Sequence, residues 1–272
     1  MKKIALFLIL LAAGSSITAG AQTQPQSQPQ PRSRSWSSRV LQKAHDAGWE
    51  IGLKAGVNLG GCSPLPLPRE IRSIESFNPT LAIQLSGEAT KWFGERREWG
   101  LTFGLRLDNK NMTTKARVKN YSMEIIGGDG NRLKGNWTGY VRTDVRNDYL
   151  NIPVLASWKP AERWVVQLGP YMSVLMNGSF SGDVYDGYLR EGDPTGNKIV
   201  FSDGAVAGYD FSSELSRLLW GMQAGCEWSA FRHLRLYANV TWGLSDIFRR
   251  GFNTITFAMY PIYLNLGFGY DF

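Results

Sequence analysis

What most constrains this chain is a two-residue hydrophobic alternation that starts at Trp49 and recurs to the last residue. Over 49–60, Trp49, Ile51, Leu53, Ala55, Val57 and Leu59 share one face; Glu50, Gly52, Lys54, Gly56 and Asn58 share the other. Successive side chains of a strand point to opposite faces, so this period reads as a strand and not as a helix. The same pattern returns over 81–89, 99–107, 150–158, 164–176, 220–228, 234–244 and 262–272. Alternation alone does not say which face is inside. A soluble sandwich or lipocalin-like barrel turns its apolar face inward, and an outer-membrane barrel turns it to lipid.

The connections discriminate. Short turns at 93–98, 159–163 and 229–233 alternate with long connections at 61–78, 108–148, 177–218 and 245–255. Short turns at one end and long loops at the other are the outer-membrane arrangement, and the apolar faces have the length of a tilted spanning strand. Residues 116–126 and 140–148 keep alternating, so the second long loop reads as a projecting hairpin with its tip at 127–131. The expected fold is all-β: an eight-stranded antiparallel up-and-down transmembrane β-barrel over 49–272, in the bacterial outer membrane with both termini periplasmic. Pro153, Pro170 and Pro261 fall inside these strands. A closed barrel has no edge to excuse them, so each predicts a bulge or a local end of pairing.

Ahead of the barrel, Lys2 and Lys3 precede an apolar run over 4–13 and an Ala19-Gly20-Ala21 site. This reads as a signal peptide over 1–21, too short to span as an anchor. Residues 22–48, rich in Gln, Pro and Ser at their start, read as a disordered periplasmic linker. No other segment reaches eighteen consecutive apolar residues, so no spanning helix is expected.

Aromatic residues mark the short-turn end. Trp49, Trp92, Trp99, Trp158, Trp164, Trp228 and Phe272 stand near the short turns or termini and form the expected girdle at headgroup level. Tyr149, Trp220, Trp242 and Tyr260 are candidates for the opposite girdle. The polar faces carry Glu50, Lys54, Glu88, Arg106, Glu227, Arg235 and Asp271. Eight strands enclose a space just wide enough for side chains, so these charges of both signs are expected to pair across the lumen as a plug. The last strand ends in Tyr270 and Phe272, an aromatic terminus read as the signal to the barrel-assembly machinery.

Other chemistry is sparse. His45 precedes the first strand and His233 lies in a short turn, so neither reaches the long loops; Ser229 with His233 reads as turn chemistry and not as nucleophile and base. No catalytic residue, cofactor or metal site is expected. Asp183, Asp186, Glu191 and Asp193, and Asp129 in its Gly-rich tip, do not follow a calcium-loop spacing. Cys62 and Cys226 fall toward opposite ends of the barrel and are not expected to pair. The formal charge of +7 includes no dense basic run, which argues against nucleic acid. Loop 108–148 is net basic and loop 177–218 net acidic. They are the expected contact surfaces, the basic one for lipopolysaccharide phosphates or an acidic partner.

Several segments, in this order, carry a likeness: YLNIPVLASWK (149–159), GPYMSVLM (169–176), WGMQAGCEW (220–228), RLYANVTWGLSDI (235–247) and the terminal YLNLGFGYDF. Together they resemble the PorT-like outer-membrane β-barrel family of Bacteroidetes-type bacteria. The resemblance implies a small outer-membrane barrel; its founding member is tied to protein secretion, but membership does not carry that role. The expected function is a non-enzymatic scaffold, surface-binding or secretion-associated barrel. Its partners are expected to be outer-membrane lipid, lipopolysaccharide, and a surface or secretion-system component met through the two long loops. The alternatives are a small-solute channel and, less favoured, an outer-leaflet lipid enzyme.

Overall fold

The computed structural model describes residues 36–126 and 131–272. The signal peptide, residues 22–35 of the linker and most of the hairpin tip at 127–131 lie outside the described residues. The rest of the linker is not uniformly disordered: Trp36–Asp46 forms a helix, α1. Trp36, Val40 and Ala44 recur at a spacing of four, and Lys43 and His45 in its last turn oppose the negative end of the helix dipole. Gly48, at φ 79°, ends it in the left-handed conformation that suits glycine.

Among the described residues ten strands follow, rather than eight. They are β1 (Trp49–Pro64), β2 (Ile71–Asn78), β3 (Ala82–Phe93), β4 (Trp99–Ile126), β5 (Arg132–Ala161), β6 (Trp164–Glu191), β7 (Lys198–Asp210), β8 (Leu218–Ser229), β9 (Leu234–Gly243) and β10 (Met259–Asp271). Eight of them close a ring in the order β1-β3-β4-β5-β6-β8-β9-β10, with β10 returning to β1 and every pair antiparallel. The extra two lie outside the ring. β2 pairs with β4, and β7 pairs with β6 and touches β4. The segments read as loops 108–148 and 177–218 are therefore largely strand: β4, β5 and β6 run on past the barrel, and β7 folds back on β6.

The outward face shows where the bilayer ends. On β4, Leu101, Phe103, Leu105 and Leu107 face outward, followed by Asn109, Asn111, Thr113, Lys115 and Arg117. On β5, Trp158, Ala156, Val154, Ile152 and Leu150 give way to Asp148, Arg146, Asp144 and Arg142. Leu107 is opposite Leu150 and Asn109 opposite Asp148, so the two strands change at one level. From Trp99 to Leu107 the apolar belt rises roughly 20 Å along the bilayer normal at the usual strand rise and tilt. The inward face changes in the opposite sense. Thr102, Arg106, Asp108 and Lys110 lie inside the belt, and Met112 and Val118 lie inside above it. The main apolar core thus sits beyond the belt, around Met123, Ile125, Trp137, Val145, Val184 and Leu189. The connection after β9 closes over it through Phe248, Phe252 and Ile255.

The three prolines interrupt pairing without a bulge. β4–β5 pairing lapses between Phe103↔Val154 and Arg106↔Asn151, beside Pro153. β5–β6 pairing lapses between Pro153↔Tyr171 and Ala156↔Leu168, beside Pro170. β9–β10 pairing stops at Ile262↔Trp242, one residue short of Pro261. In each case the register resumes unchanged or the ladder ends, as loss of one N–H donor requires. Glycines make room for two of the rings. A Cβ on Gly104 would stand 3.1 Å from Pro153 Cγ, and one on Gly243 would stand 2.5 Å from Pro261 Cγ.

Gly243→Val should therefore lower the thermal stability of the folded barrel, read as the temperature at which the compact gel species converts to the unfolded one. Gly87→Ala, where a Cβ meets only Leu53 Cδ2 at 3.6 Å, should leave it unchanged. Equal midpoints for Gly243→Val and wild type would contradict the account of Pro261.

Candidate functional site

The lumen is lined by the inward residues of the eight ring strands, and its charges fall into two groups. Toward the short turns, Lys54 donates to Glu88 at 2.5 Å and also to Glu227. Arg235 reaches Glu227 at 3.3 Å, Asp271 at 2.5 Å, and Glu50. Lys159 approaches Glu50 at 3.5 Å. In mid-barrel, Arg106 donates to Asp108 at 2.9 Å and to Gln223 at 2.8 Å, and Asp108 also accepts from Asn151. Asn58 joins this group by donating to Asp108 at 3.4 Å, and it accepts from Asn265. The structure thus brings Glu50, Lys54, Glu88, Glu227, Arg235 and Asp271 into one cluster and sets Arg106 in the other.

Sequence reasoning missed Asp108, Lys110, Lys159 and the amide partners. Asp108 and Lys110 were assigned to a loop, although their parity with Arg106 marked them as inward. The Lys110 ammonium lies 5.1 Å from the Tyr263 ring centre and 5.5 Å and 5.6 Å from those of Tyr149 and Tyr171. Aromatic faces stabilise a desolvated cation, so this lysine caps the polar lumen below the apolar core.

Of the seven aromatics expected in the short-turn girdle, six are exposed on the outside of the ring, and Trp92 is not. Trp99 stacks on Trp158 with ring centres 5.7 Å apart, and Trp164 lies beside Trp228 at 6.5 Å, all four on the outside. Trp49 and Phe272 are also exposed there. Trp92 is not part of it: it is 6% exposed, its Nε1 donates to Glu50, and the Lys159 ammonium lies 3.7 Å from its ring centre. Its even number on β3 puts it on the same face as Glu88 and Thr90. Tyr149 is likewise inward, at 3% exposure, for the same reason of parity on β5. Tyr270 and Phe272 are exposed and pack edge to face at 5.3 Å, and the Phe272 amide donates to Ile51.

His233 is held in its turn, with Nδ1 2.9 Å from the Asp271 carbonyl oxygen and its ring stacked on Tyr270. Asp193 closes a local turn by accepting from the Thr195 hydroxyl and amide, which holds its carboxyl below the usual carboxylate range. Cys62 and Cys226 are free.

At the opposite end lies a cavity of about 270 Å³. β2 supplies Ile71, Ile74 and Phe77, and β4 supplies Met112, Ala116 and Val118; β1, β5, β6 and β10 add further apolar residues, among them Cys62 and Met259. Its polar side chains are hydroxyls and a thiol, those of Ser63, Thr114, Thr143, Tyr121 and Cys62, and no charged side chain lines it. Such a lining selects an apolar ligand group and offers nothing to an ion.

Two predictions follow from these contacts. Lys54→Met leaves Glu88 and Glu227 in the lumen without their shared cation, at a cost on the order of 3–5 kcal/mol. It should lower the urea midpoint, and adding Glu88→Gln with Glu227→Gln should restore much of it; no recovery would show that charge is not what Lys54 supplies. Above the belt, Arg249 hydrogen-bonds Glu214 at 2.8 and 2.7 Å and holds its carboxyl below the usual range. Because the folded pKa is depressed, the contact stabilises fully above the ordinary value of about 4.3 and is lost as pH falls through the folded value. Amide exchange over 248–252, corrected for intrinsic rate, should rise in that acid window. Glu214→Gln should show the faster exchange already at pH ~7, and an acid response unchanged by the substitution would refute the assignment.

Among curated proteins, none matches the chain. Solved structures give slight likenesses. Ail, the attachment invasion locus protein of Yersinia pestis, is 11% identical with a TM-score of 0.36, covering 82% of this chain and 97% of that one. The outer membrane protein OprG from Pseudomonas aeruginosa is 14% identical with a TM-score of 0.34, covering 83% and 96%. The outer membrane protease OmpT from Escherichia coli is 10% identical with a TM-score of 0.33, covering 83% and 94%. Likenesses of this size carry neither a residue's role nor an activity across. The family match is broader: residues 21–249 fit the outer membrane protein beta-barrel domain. With the closed ring, the lipid belt and the polar lumen, this chain belongs to the outer membrane protein beta-barrel domain family and is a protein of the bacterial outer membrane.

Proposed function

We propose that this protein is a non-enzymatic, non-conducting surface barrel of the PorT-like kind, which holds a folded recognition structure beyond the outer leaflet. The observation that carries the reading is the reversal of the inward face: ion-paired within the belt, apolar and core-forming above it. A channel needs a continuous wet path. Here Lys54 and Arg235 tie together carboxylates from β1, β3, β8 and β10 across the lumen, and an apolar core stands above them. Strands extended this far beyond the bilayer present a rigid surface, which suits recognition better than a mobile loop does.

The short turns and both termini lie in the periplasm in this reading, because an even ring returns the chain to its starting side and short turns face inward in such barrels. The belt meets outer-membrane lipid, and the assembly machinery reads β10 with Tyr270 and Phe272. Surface partners, among them lipopolysaccharide and a secretion-system or other surface component, meet the protein through 108–148 and 177–218. Those two regions are adjacent strands in one sheet, with Arg142 opposite Asp183. Above the belt their ion pairs among the described residues are few, Arg142 with Asp144, Arg132 with Glu124 and Glu214 with Arg249, which leaves much of the surface charge available.

Purified protein in planar bilayers tests the reading. Wild-type protein should give no stable current steps. Reproducible unitary conductance would overturn the surface-barrel reading in favour of the small-solute channel.

A further inference from the structure

The ring is complete only within the belt. β1 pairs with β3 up to Asn58↔Ala82 and no further, whereas β1 continues against β10 to Pro64↔Met259. Above Ala82 the chain returns to the sheet as β2, whose ladder is with β4. The upper edge of β1 and β2 therefore face each other without a ladder. This seam begins at the level where the outward apolar residues of β1 and β3, Leu59 and Leu81, end.

The apolar cavity lies at this seam, with β1 and β2 both contributing to its wall. Exposed apolar side chains lead to it. Ile83 (57% exposed) stands on the lipid side of β3, with Leu81 (72%) just ahead of that strand; Phe77 (50%) and Ile74 (55%), opposite the inward Thr114 and Ala116, line the cavity behind the seam and remain half exposed through it. The outward face above the belt is polar on β4 and β5, and on β2 it carries Ser73 and Ser76, so the apolar residues of β2 are turned to the cavity. The neighbouring core shows what a sealed interior looks like in this protein: Ile125, Trp137 and Val145 are fully buried. On the outer side of the same wall, Lys115 and Arg117 are exposed on β4 opposite Ser76 and Ser73, and Arg72 is exposed on β2. None of these three cations is in an ion pair among the described residues, and all suit a phosphate headgroup.

We propose that the cavity takes the acyl chain of an anionic lipid from the adjoining leaflet, which enters sideways through the β1–β2 seam. The apolar lining excludes a charged group, the seam opens at the upper edge of the lipid belt, and the free cations would hold the headgroup outside. The volume of about 270 Å³ is close to the lower bound of ~300 Å³ for ligand pockets and fits part of one chain, not a whole lipid. This site is independent of whether the lumen conducts.

The test uses the full chain in nanodiscs of phosphatidylglycerol carrying a diazirine at the acyl terminus. After irradiation, adducts should map to Met112 and Met259 in the cavity as well as to Leu105 and Leu264 on the lipid face. Ala116→Trp, which fills the cavity, should reduce the cavity adducts at least tenfold and leave the lipid-face adducts unchanged. Ile74→Lys with Phe77→Lys, both half exposed at the cavity mouth, should do the same by placing charge where the chain would enter. Heat-modifiable migration checks that each variant is folded, and the second variant stands if the first is not. Lipid-face adducts without cavity adducts in wild type would overturn the proposal. So would cavity adducts that persist in the folded variants, or cavity labelling by a soluble diazirine alkanol but not by the nanodisc lipid.

Discussion

A strand that crosses hydrocarbon has no water to satisfy its amides, so every backbone group in the belt must be paired within the ring. Most other features follow from that closure. Eight strands suffice to close it, and eight strands leave a lumen that side chains fill. Those side chains come from inward positions, where polar residues persist only if they find partners. Lys54 between Glu88 and Glu227, and Arg235 among Glu50, Glu227 and Asp271, meet that condition. Where closure ends, at Asn58↔Ala82, the apolar belt ends too.

The prolines show how much departure the closed ring tolerates. Pro153, Pro170 and Pro261 each remove a donor, and each coincides with a lapse on one side while the other side stays paired. A bulge would shift every later residue of the strand to the other face. Gly104 and Gly243 accept the proline rings and preserve parity, so the lipid face stays apolar past the interruption. The two β5–β6 shifts near the belt fall at its edges, one between Asp148↔Asn177 and Tyr149↔Leu175, where the outward face has turned polar, and one between Trp158↔Val166 and Ala161↔Trp164, at the short turn.

The ring was legible in the sequence because alternation within a two-faced wall is unambiguous once its sign is known. The eight alternating segments correspond to β1, β3, β4, β5, β6, β8, β9 and β10. The girdle read less well at Trp92 and Tyr149, where proximity to a turn was weighed and parity was not. Above the belt the signal weakens for physical reasons. The extra residue at Met176 breaks the parity of β6, and β6 and β7 together carry Gly178, Gly182, Gly187, Gly204 and Gly208, which dilute any pattern. β2 was read as part of a loop because its residues IRSIESFN do not alternate and lie almost entirely exposed. The Lys54 and Arg235 clusters were legible as charges on an inward face, but the choice of partner depends on register across strands, which no single segment records.

A strand that passes from lipid to water must exchange the chemistry of both faces while keeping its geometry. On β4 this happens between Leu107 and Asn109 outside and between Lys110 and Met112 inside, within about one pleat. The inner change needs an intermediate, because a charge next to an apolar core would be left without solvation. Lys110 meets that need. Its ammonium faces the rings of Tyr149, Tyr171 and Tyr263, which are apolar enough to join the core and polarisable enough to sit beside a cation. The tyrosines come from β5, β6 and β10, so one cation with three rings spans the lumen and joins the membrane plug to the structure above it. β2 lies outside this exchange. It is attached only along β4, and the irregularities after Ile71 and Ile74 keep both residues, with Phe77, on the cavity face while Ser73 and Ser76 face outward beside Arg117 and Lys115. A short strand at an open seam has lipid directly below it and a cavity directly behind.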